Sequence, residues 1–359
     1  MDTLTTESPN HRTDPVQARR PPRRWYRDPL GCLHLTIATV LAERGVEPLD
    51  PLGAGWGFQH LPGHVRGEEF YYPHAGDDLG PALAPHHPLR AVWSATPEGE
   101  DPLRTFSDTI AAGGLVIAAV DKYHLPFRPA YHDVHAAHLV VVYGVDRTRG
   151  LVWVSDSQPP GFSGAMRVED FLAAHASANP ADEQDAFFSD STIARRYLAV
   201  ELAEPFHELD ENGLAAALRA NVAGFLAAGD EQNWTGMAGL RRYVDSLVAA
   251  ASEGRQAPLR QAYTFGWSMQ ASAYLHSELL RLRGVQWQRP ALREAARDVL
   301  AVATAWTPVR VTAAHGWPDP PAAEAALSQH CTRLVGRYEE ALAAVAALGG
   351  PHDFKEVPR

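Results

Sequence analysis

Three side chains of this 359-residue chain have the types and the order of a nucleophile, a base and an orienting acid: Cys32, His138 and Asp156. Cys32 stands where a helix is predicted to open. The unpaired N–H groups and positive dipole end at such a position favour a thiolate, and can hold an oxyanion when a carbonyl is attacked. Taken alone, Cys32 also reads as a small buried core side chain. His138 leads an apolar strand behind the small residues Ala136 and Ala137, which leave room beside its ring. Asp156 closes the next predicted strand and opens a turn. If the two strands form a hairpin, Asp156 lies near His138 and can accept a hydrogen bond from the imidazole, which fixes its tautomer.

Elements that would position these groups follow from the hydrophobic pattern. Residues 31–44 carry Leu33, Ile37, Val40 and Leu41 at helical spacing, which predicts one buried face, with Gly45 as the stop. Residues 51–100 are rich in Gly, Pro and His and read as loops and short strands. A helix is predicted over 102–112, strands over 115–120, 138–145 and 151–155, a short helix over 168–176 and a last strand over 197–202. The turn 146–150 makes the second and third strands a hairpin. Beyond about residue 207 strands vanish. Helical periodicity covers 213–228, 234–252, 258–283, 290–304 and 322–348. The expected organisation is a tail over 1–24, a mixed domain over 25–205 and an all-helical domain over 206–359.

Composition narrows the function classes. The formal charge is −11, which argues against a broad nucleic-acid footprint. Arg19, Arg20, Arg23 and Arg24 lie among prolines and read as a disordered basic arm. No apolar signal segment opens the chain and no apolar run is long enough to span a bilayer, so the expectation is a soluble, cytoplasmic protein without a membrane partner. Two cysteines do not make a disulfide scaffold or a thiolate-rich zinc site. His132, His135 and His138 recur every third residue, but they precede a strand rather than lie on a helix, so no metal site is assigned. The Gly53-x-Gly55-x-Gly57 stretch lacks the context and the Lys-Ser/Thr of a phosphate loop. Abundant Ala, Arg and Pro point to a GC-rich bacterial genome.

The stretches RDPLGCLHLTIATVLAERGVEPLDPLGAGWGFQH, VDKYHLPFRPAYHDVHAAHLVVVYGVD and WVSDSQ resemble the butirosin-biosynthesis protein H family, in which a Gly/Asn-Cys opens a helix, an Asp-x-Tyr ends a strand and a histidine leads the next. The resemblance covers about residues 25–200. The family's core is similar to bacteriocin-processing cysteine peptidases. This implies an α+β fold: a papain-like N-terminal domain with an antiparallel sheet, followed by helices. It further implies an acyltransferase of natural-product biosynthesis. Cys32 would take an acyl or aminoacyl group from the phosphopantetheine thioester of an acyl or peptidyl carrier protein. His138 would serve as base and Asp156 as orienter, and an amine of a small molecule or peptide would receive the group in amide bond formation. No cofactor of the protein's own is implied. Asp121 and Tyr123, matching the Asp-x-Tyr, either line the acceptor pocket or brace the strand. Peptidases of this type place a glutamine shortly before the cysteine as oxyanion donor, and none stands between Gln17 and Cys32. Backbone N–H groups or Tyr26 would have to substitute. Trp56 and the helical half are candidate covers that exclude water. The same triad would also serve a thioesterase, amidase or peptide cyclase, and a third reading is a non-catalytic module that binds a carrier protein. Arg195, Arg196, Arg241, Arg242, Arg281 and Arg283 are candidates for a basic docking patch but read first as solvated helix faces. A homodimer is compatible with the helical half.

Overall fold

The computed structural model describes residues 20–202, 206, 208–227 and 229–348. The expected tail lies outside the described residues up to position 19. Of the part that is described, Pro22 is buried.

The chain is α+β, an antiparallel sheet region followed by a helical region. It begins with α1 (Cys32–Glu43) and α2 (Leu49–Ala54), then the two-residue strand β1 (Gln59–His60), a single turn α3 (Gly80–Leu83), β2 (Leu89–Ala95) and α4 (Pro102–Ala111). Next come β3 (Val116–Asp121), β4 (Ala137–Asp146), β5 (Leu151–Asp156), β6 (Phe162–Arg167), α5 (Val168–Ala176) and β7 (Arg196–Leu202). The helical half holds α6 (Glu211–Leu226), β8 (Trp234–Thr235), α7 (Gly236–Ser252), α8 (Gln256–Gln286), α9 (Pro290–Gly316) and α10 (Pro320–Leu348). The six-stranded sheet has the order β2-β7-β3-β4-β5-β6, with every neighbour antiparallel.

Alternation along the strands explains why β3 and β4 read as unbroken apolar runs. Ile117, Ala119, Leu139 and Val141 face a core shared with α1 and the helical region. Val116, Ala118, Val120, Val140 and Val142 face a second core closed by Phe106 of α4 and Phe171 of α5. The sheet is therefore covered on both sides. Helix α1 departs from the amphipathic expectation for the same reason. Every residue from Cys32 to Leu41 is buried, because sheet and helices enclose it on all sides. Its predicted stop holds: Gly45 sits at φ +78 and its N–H donates to the Ala42 carbonyl.

β2 falls within the 51–100 stretch read as loops and short strands. Two further departures concern strands. β6 was not expected from the pattern. β6 is an edge strand with mostly exposed or half-buried residues and a glycine, so it has little apolar alternation. Strands do not vanish after residue 207, since Trp234–Thr235 pairs with Gln59–His60. That ribbon ties the two halves together. They are also joined by a single apolar core running from Leu30 to Leu348.

The Gly-rich stretch serves packing. A Cβ on Gly53 would lie 2.8 Å from the Leu275 carbonyl oxygen of α8, so glycine permits α2 to approach that helix closely. The Gly53 carbonyl also accepts from His276 Nδ1 at 2.7 Å. Among the described residues no helix is long and apolar enough to cross a membrane.

Burial holds four histidines neutral. His34, His60, His175 and His276 are each pushed down to about 4 by desolvation. In the unfolded chain they titrate near about 6.5. Between those values the unfolded state binds protons that the folded state refuses. Their contribution to stability is therefore complete above about pH 6.5 and falls as pH drops toward 4, by up to about 1.4 kcal/mol per pH unit for each histidine. The urea midpoint is expected to fall steadily from pH 7 to pH 5, and a flat midpoint over that range would contradict this account.

Candidate active site

Cys32 lies at the first position of α1, with Gly31 as the preceding extended residue. Two segments that meet there are pinned by α8. Trp267 Nε1 donates to the Pro29 carbonyl at 3.2 Å, and Ser268 Oγ donates to the Tyr71 carbonyl at 2.5 Å. The first holds the start of α1. The second holds the loop carrying Glu69. Gly31 keeps the two close, because a Cβ there would lie 3.2 Å from the Glu69 carbonyl oxygen.

His138 and Asp156 do come together. The β4–β5 ladder ends at Val141 opposite Ser155, so neither residue has a direct cross-strand partner in that pair of strands. Their side chains meet diagonally past the ladder's end, with His138 Nε2 2.7 Å from Asp156 Oδ2. The other ring nitrogen, Nδ1, lies 2.9 Å from Glu69 Oε2. Cys32 Sγ, a Glu69 oxygen and a His138 nitrogen all lie within 4.8 Å of one another. The three residues expected as nucleophile, base and acid thus form one cluster, and Glu69 is a fourth member.

Three more side chains complete it. Lys122 Nζ lies 2.7 Å from Glu69 Oε2. Arg128 forms an ion pair with Asp156 and donates to the Pro159 carbonyl at 3.1 Å. Gln158 donates from its side chain to Glu69 and from its backbone N–H to Asp156 Oδ1, the latter at 3.0 Å. Two ionised carboxylates each face one nitrogen of His138. Arg128 Nη2 also lies 3.1 Å from His138 Nε2. Lys122 and Arg128 balance the two acids.

The pKa shifts follow from this arrangement. Burial pushes the Glu69 carboxyl up, but Lys122 and His138 outweigh it and hold it well below the carboxylate range. Burial raises Asp156 as well, and His138 and Arg128 bring it below its ordinary value. Burial draws the Lys122 ammonium down, and Glu69 more than restores it. The thiol corrects the expectation from the helix dipole. Burial, followed by the Glu69 charge, pushes Cys32 well above an ordinary thiol, against the opposing effects of Lys122 and the Leu139 backbone N–H. Cys32, His138 and Asp156 are each 1% exposed or less. The Lys122 side chain, 20% exposed, and the half-buried Gln158 are the cluster's contacts with solvent.

The remaining expected residues fall elsewhere. Tyr26 is exposed and its hydroxyl donates to Asp28 Oδ1 at 2.6 Å, away from the cluster. Trp56 is buried against Phe225, His276 and Tyr338 of the helical region. Asp121 is fully buried and accepts from Tyr123 N, Ala136 N and Ser177 Oγ, with His135 Nδ1 2.7 Å away. Those contacts brace the strand end. Tyr123 stacks on His135 at 4.1 Å. The residue between them, Lys122, is the one that reaches the cluster. His132, His135 and His138 do not converge. Cys32, Glu69 and His138 have the spacing of a metal trio, but Lys122 and Arg128 place cations on both carboxylates and disfavour a divalent ion there.

Residues 31–157 match the family model described as butirosin biosynthesis protein H, N-terminal. This segment belongs to that family. It contains Cys32, Glu69, Lys122, Arg128, His138 and Asp156. The family's name ties it to the biosynthesis of an antibiotic. No curated protein matches the chain.

Opposite effects on the thiol are expected from its two charged neighbours Glu69 and Lys122. Glu69→Gln should lower the Cys32 pKa and speed its alkylation at neutral pH, whereas Lys122→Gln should raise the pKa and slow alkylation. Each change strips one partner from a buried ion pair and should destabilise the fold by about 3–5 kcal/mol. The rate of iodoacetamide labelling against pH, read by mass spectrometry, checks the first effect, and urea unfolding checks the second. Equal shifts in both variants would remove Glu69 and Lys122 from the site's electrostatics.

Proposed function

We propose that the protein is a cysteine-nucleophile acyltransferase of natural-product biosynthesis, with residues 25–205 as a papain-like catalytic unit and residues 206–359 as its helical cover. The observation that carries this reading is the His138 ring, held through Nε2 by Asp156 at 2.7 Å, within reach of a cysteine that opens a helix. Membership of residues 31–157 in a biosynthetic family supports it.

The reaction runs in two steps. Movement of Glu69 off Nδ1 opens the Cys32 side of the ring. The Cys32 thiol gives its proton to Nδ1, and the thiolate attacks the carbonyl of a carrier-protein thioester. The oxyanion rests on the N–H groups that open α1. The carbonyl–sulfur bond to the carrier breaks, and the leaving thiolate takes the proton from His138. An amine then attacks the acyl-Cys32 carbonyl and gives its proton to His138. The new C–N bond forms as the Cys32 thiolate leaves. Asp156 keeps the ring oriented throughout and stabilises its cationic form. Burial of the cluster favours transfer over hydrolysis, because water would otherwise take the place of the amine. A thioesterase, amidase or cyclase would use the same residues with another acceptor.

The partner proposed is an acyl or peptidyl carrier protein. The arginines expected to dock it are mostly engaged within the chain: Arg241 with Glu339, Arg281 with Glu278, Arg283 with Asp50 and Arg196 with Glu68. Arg242 lies over the Trp234 ring. They do not form a free basic patch.

One observation favours the non-catalytic reading: the thiol is buried and neutral at rest. Intact-mass spectrometry with a panel of acyl-N-acetylcysteamine thioesters separates the two. The wild type is expected to gain one acyl mass and Cys32→Ala none, and added amines should discharge the adduct to an amide. No adduct from any donor, together with a Cys32 that resists alkylation, would leave the carrier-binding module.

A further inference from the structure

Two arginines of the described residues are more than nine-tenths buried, Arg128 and Arg310. Arg128 has Asp156 as its counter-charge. Arg310, on α9, has no carboxylate partner among the described residues. Its Nε donates to the Tyr263 carbonyl at 3.1 Å and its Nη1 to Gln270 Oε1, both on α8. Two rings pack on the guanidinium, with Cζ 4.6 Å from the Tyr263 centroid and 4.8 Å from that of Trp267. Nη2 has no partner among the described residues, and it is not sealed in the interior as the unpaired Arg128 Nε is. Burial pulls Arg310 down to about 10, so it stays charged at neutral pH. Ring faces and neutral oxygens offset only part of the cost of burying a cation, and an anion at Nη2 would supply the rest.

A second arginine stands nearby. Arg260 is half-buried and precedes Tyr263 by about one turn of α8. Its Nε donates to the Ala186 carbonyl at 2.6 Å, and it too forms no ion pair with a described carboxylate. The loop held in this way carries Phe187 and Phe188, which pack on Tyr263 at 4.4 Å and on Trp267 at 5.6 Å. Asp185 of the same loop is close enough to Lys122 and Glu69 to feel their charges. Trp267 also holds the Pro29 carbonyl, and Pro29 precedes Cys32 by three residues, at most about 11 Å of extended chain. The two arginines therefore adjoin both the start of α1 and the loop beside Lys122, where the cluster meets solvent.

We propose that Arg310 and Arg260 form an anion site for the phosphate of the thioester donor, which lies at the far end of a pantetheine arm whose thioester reaches Cys32. The inference rests on the acyl-transfer reading and names the contact that orients the donor. Guanidinium N–H groups match phosphate oxygens in geometry and charge. A planar carboxylate is satisfied by one guanidinium, whereas a phosphate presents oxygens in several directions and suits cations from two helices. The aromatic rings keep water from one side of the Arg310 guanidinium, which strengthens its pairing with an anion.

The test is isothermal titration of the full chain with S-methyl phosphopantetheine and S-methyl pantetheine, two unreactive thioethers that differ in the phosphate. The wild type should bind the first saturably and about tenfold more tightly than the second, the effect of one charged hydrogen bond. Arg310→Met should bring both probes to one affinity. Arg260→Gln, at a half-buried position, should narrow the difference and provides the comparison if the first variant does not fold. Equal affinity in the wild type, or an unchanged difference in the folded variants, would overturn the site. Inorganic phosphate that binds as tightly as the phosphorylated probe would overturn its assignment to the donor. Acylation rates separate this inference from the reading at Cys32. Acetyl-phosphopantetheine should acylate the wild type with a kcat/KM about tenfold above that of acetyl-pantetheine. Acylation without that preference would remove the phosphate site and leave acyl transfer standing. Arg310-dependent binding without acylation by either donor would leave the phosphate site and remove acyl transfer.

Discussion

The structure turns on a buried imidazole held between two carboxylates. His138 meets Glu69 through one nitrogen and Asp156 through the other, and neither acid is solvated. Such a group is tolerable only when its charges cancel and its hydrogen bonds are complete. Lys122 and Arg128 supply the cancelling charge, and Gln158 supplies two of the bonds. These residues come from four separate stretches of chain: the loop before α3, the turn after β3, the ends of β4 and β5, and the loops beside them. The sheet brings the last three together. The fourth is held by α8, whose Ser268 fixes the Glu69 loop while the neighbouring Trp267 fixes the start of α1. The helical half is thus part of the site's scaffold as well as its cover.

The same cluster explains why the resting cysteine is quiet. A helix start alone would activate a thiol. Here complete burial and a nearby carboxylate act the other way and prevail. Burial first and the Glu69 charge second, rather than the helix start, therefore dominate the surroundings of the Cys32 thiol.

The sequence allowed the main elements and the three central residues to be read, because they follow local rules. Unbroken apolar runs mark β3 and β4, a turn-linked apolar run marks β5, period-3.6 patterns mark the long helices, and Cys32 stands visibly at the start of α1. Glu69 could not be read this way. It lies in a stretch of glycines, prolines and histidines with no period, and its role comes from contacts with residues 53 and 69 positions further along. Lys122 was hidden between two residues that looked more chemical, Asp121 and Tyr123, which brace the strand end. Arg128 reaches Asp156 from a loop with no regular structure. The all-round burial of α1 was also out of reach, since it depends on a helical region more than 200 residues downstream.

Strand order carries a consequence for how the molecule is made. β7 is the last strand of the sheet in the chain, yet it lies between β2 and β3. Until residues 196–202 have been synthesised, β3 has a bare edge and β2 has no neighbour in the sheet. That edge belongs to the apolar run Val116–Val120, the kind of exposed strand that invites pairing with another chain. The family-matched segment, residues 31–157, stops before β6, α5 and β7. That segment is where the chain resembles the family, but it is not a unit that closes its own sheet. A nascent chain must therefore pass through a long stage in which this apolar edge stands open to other chains.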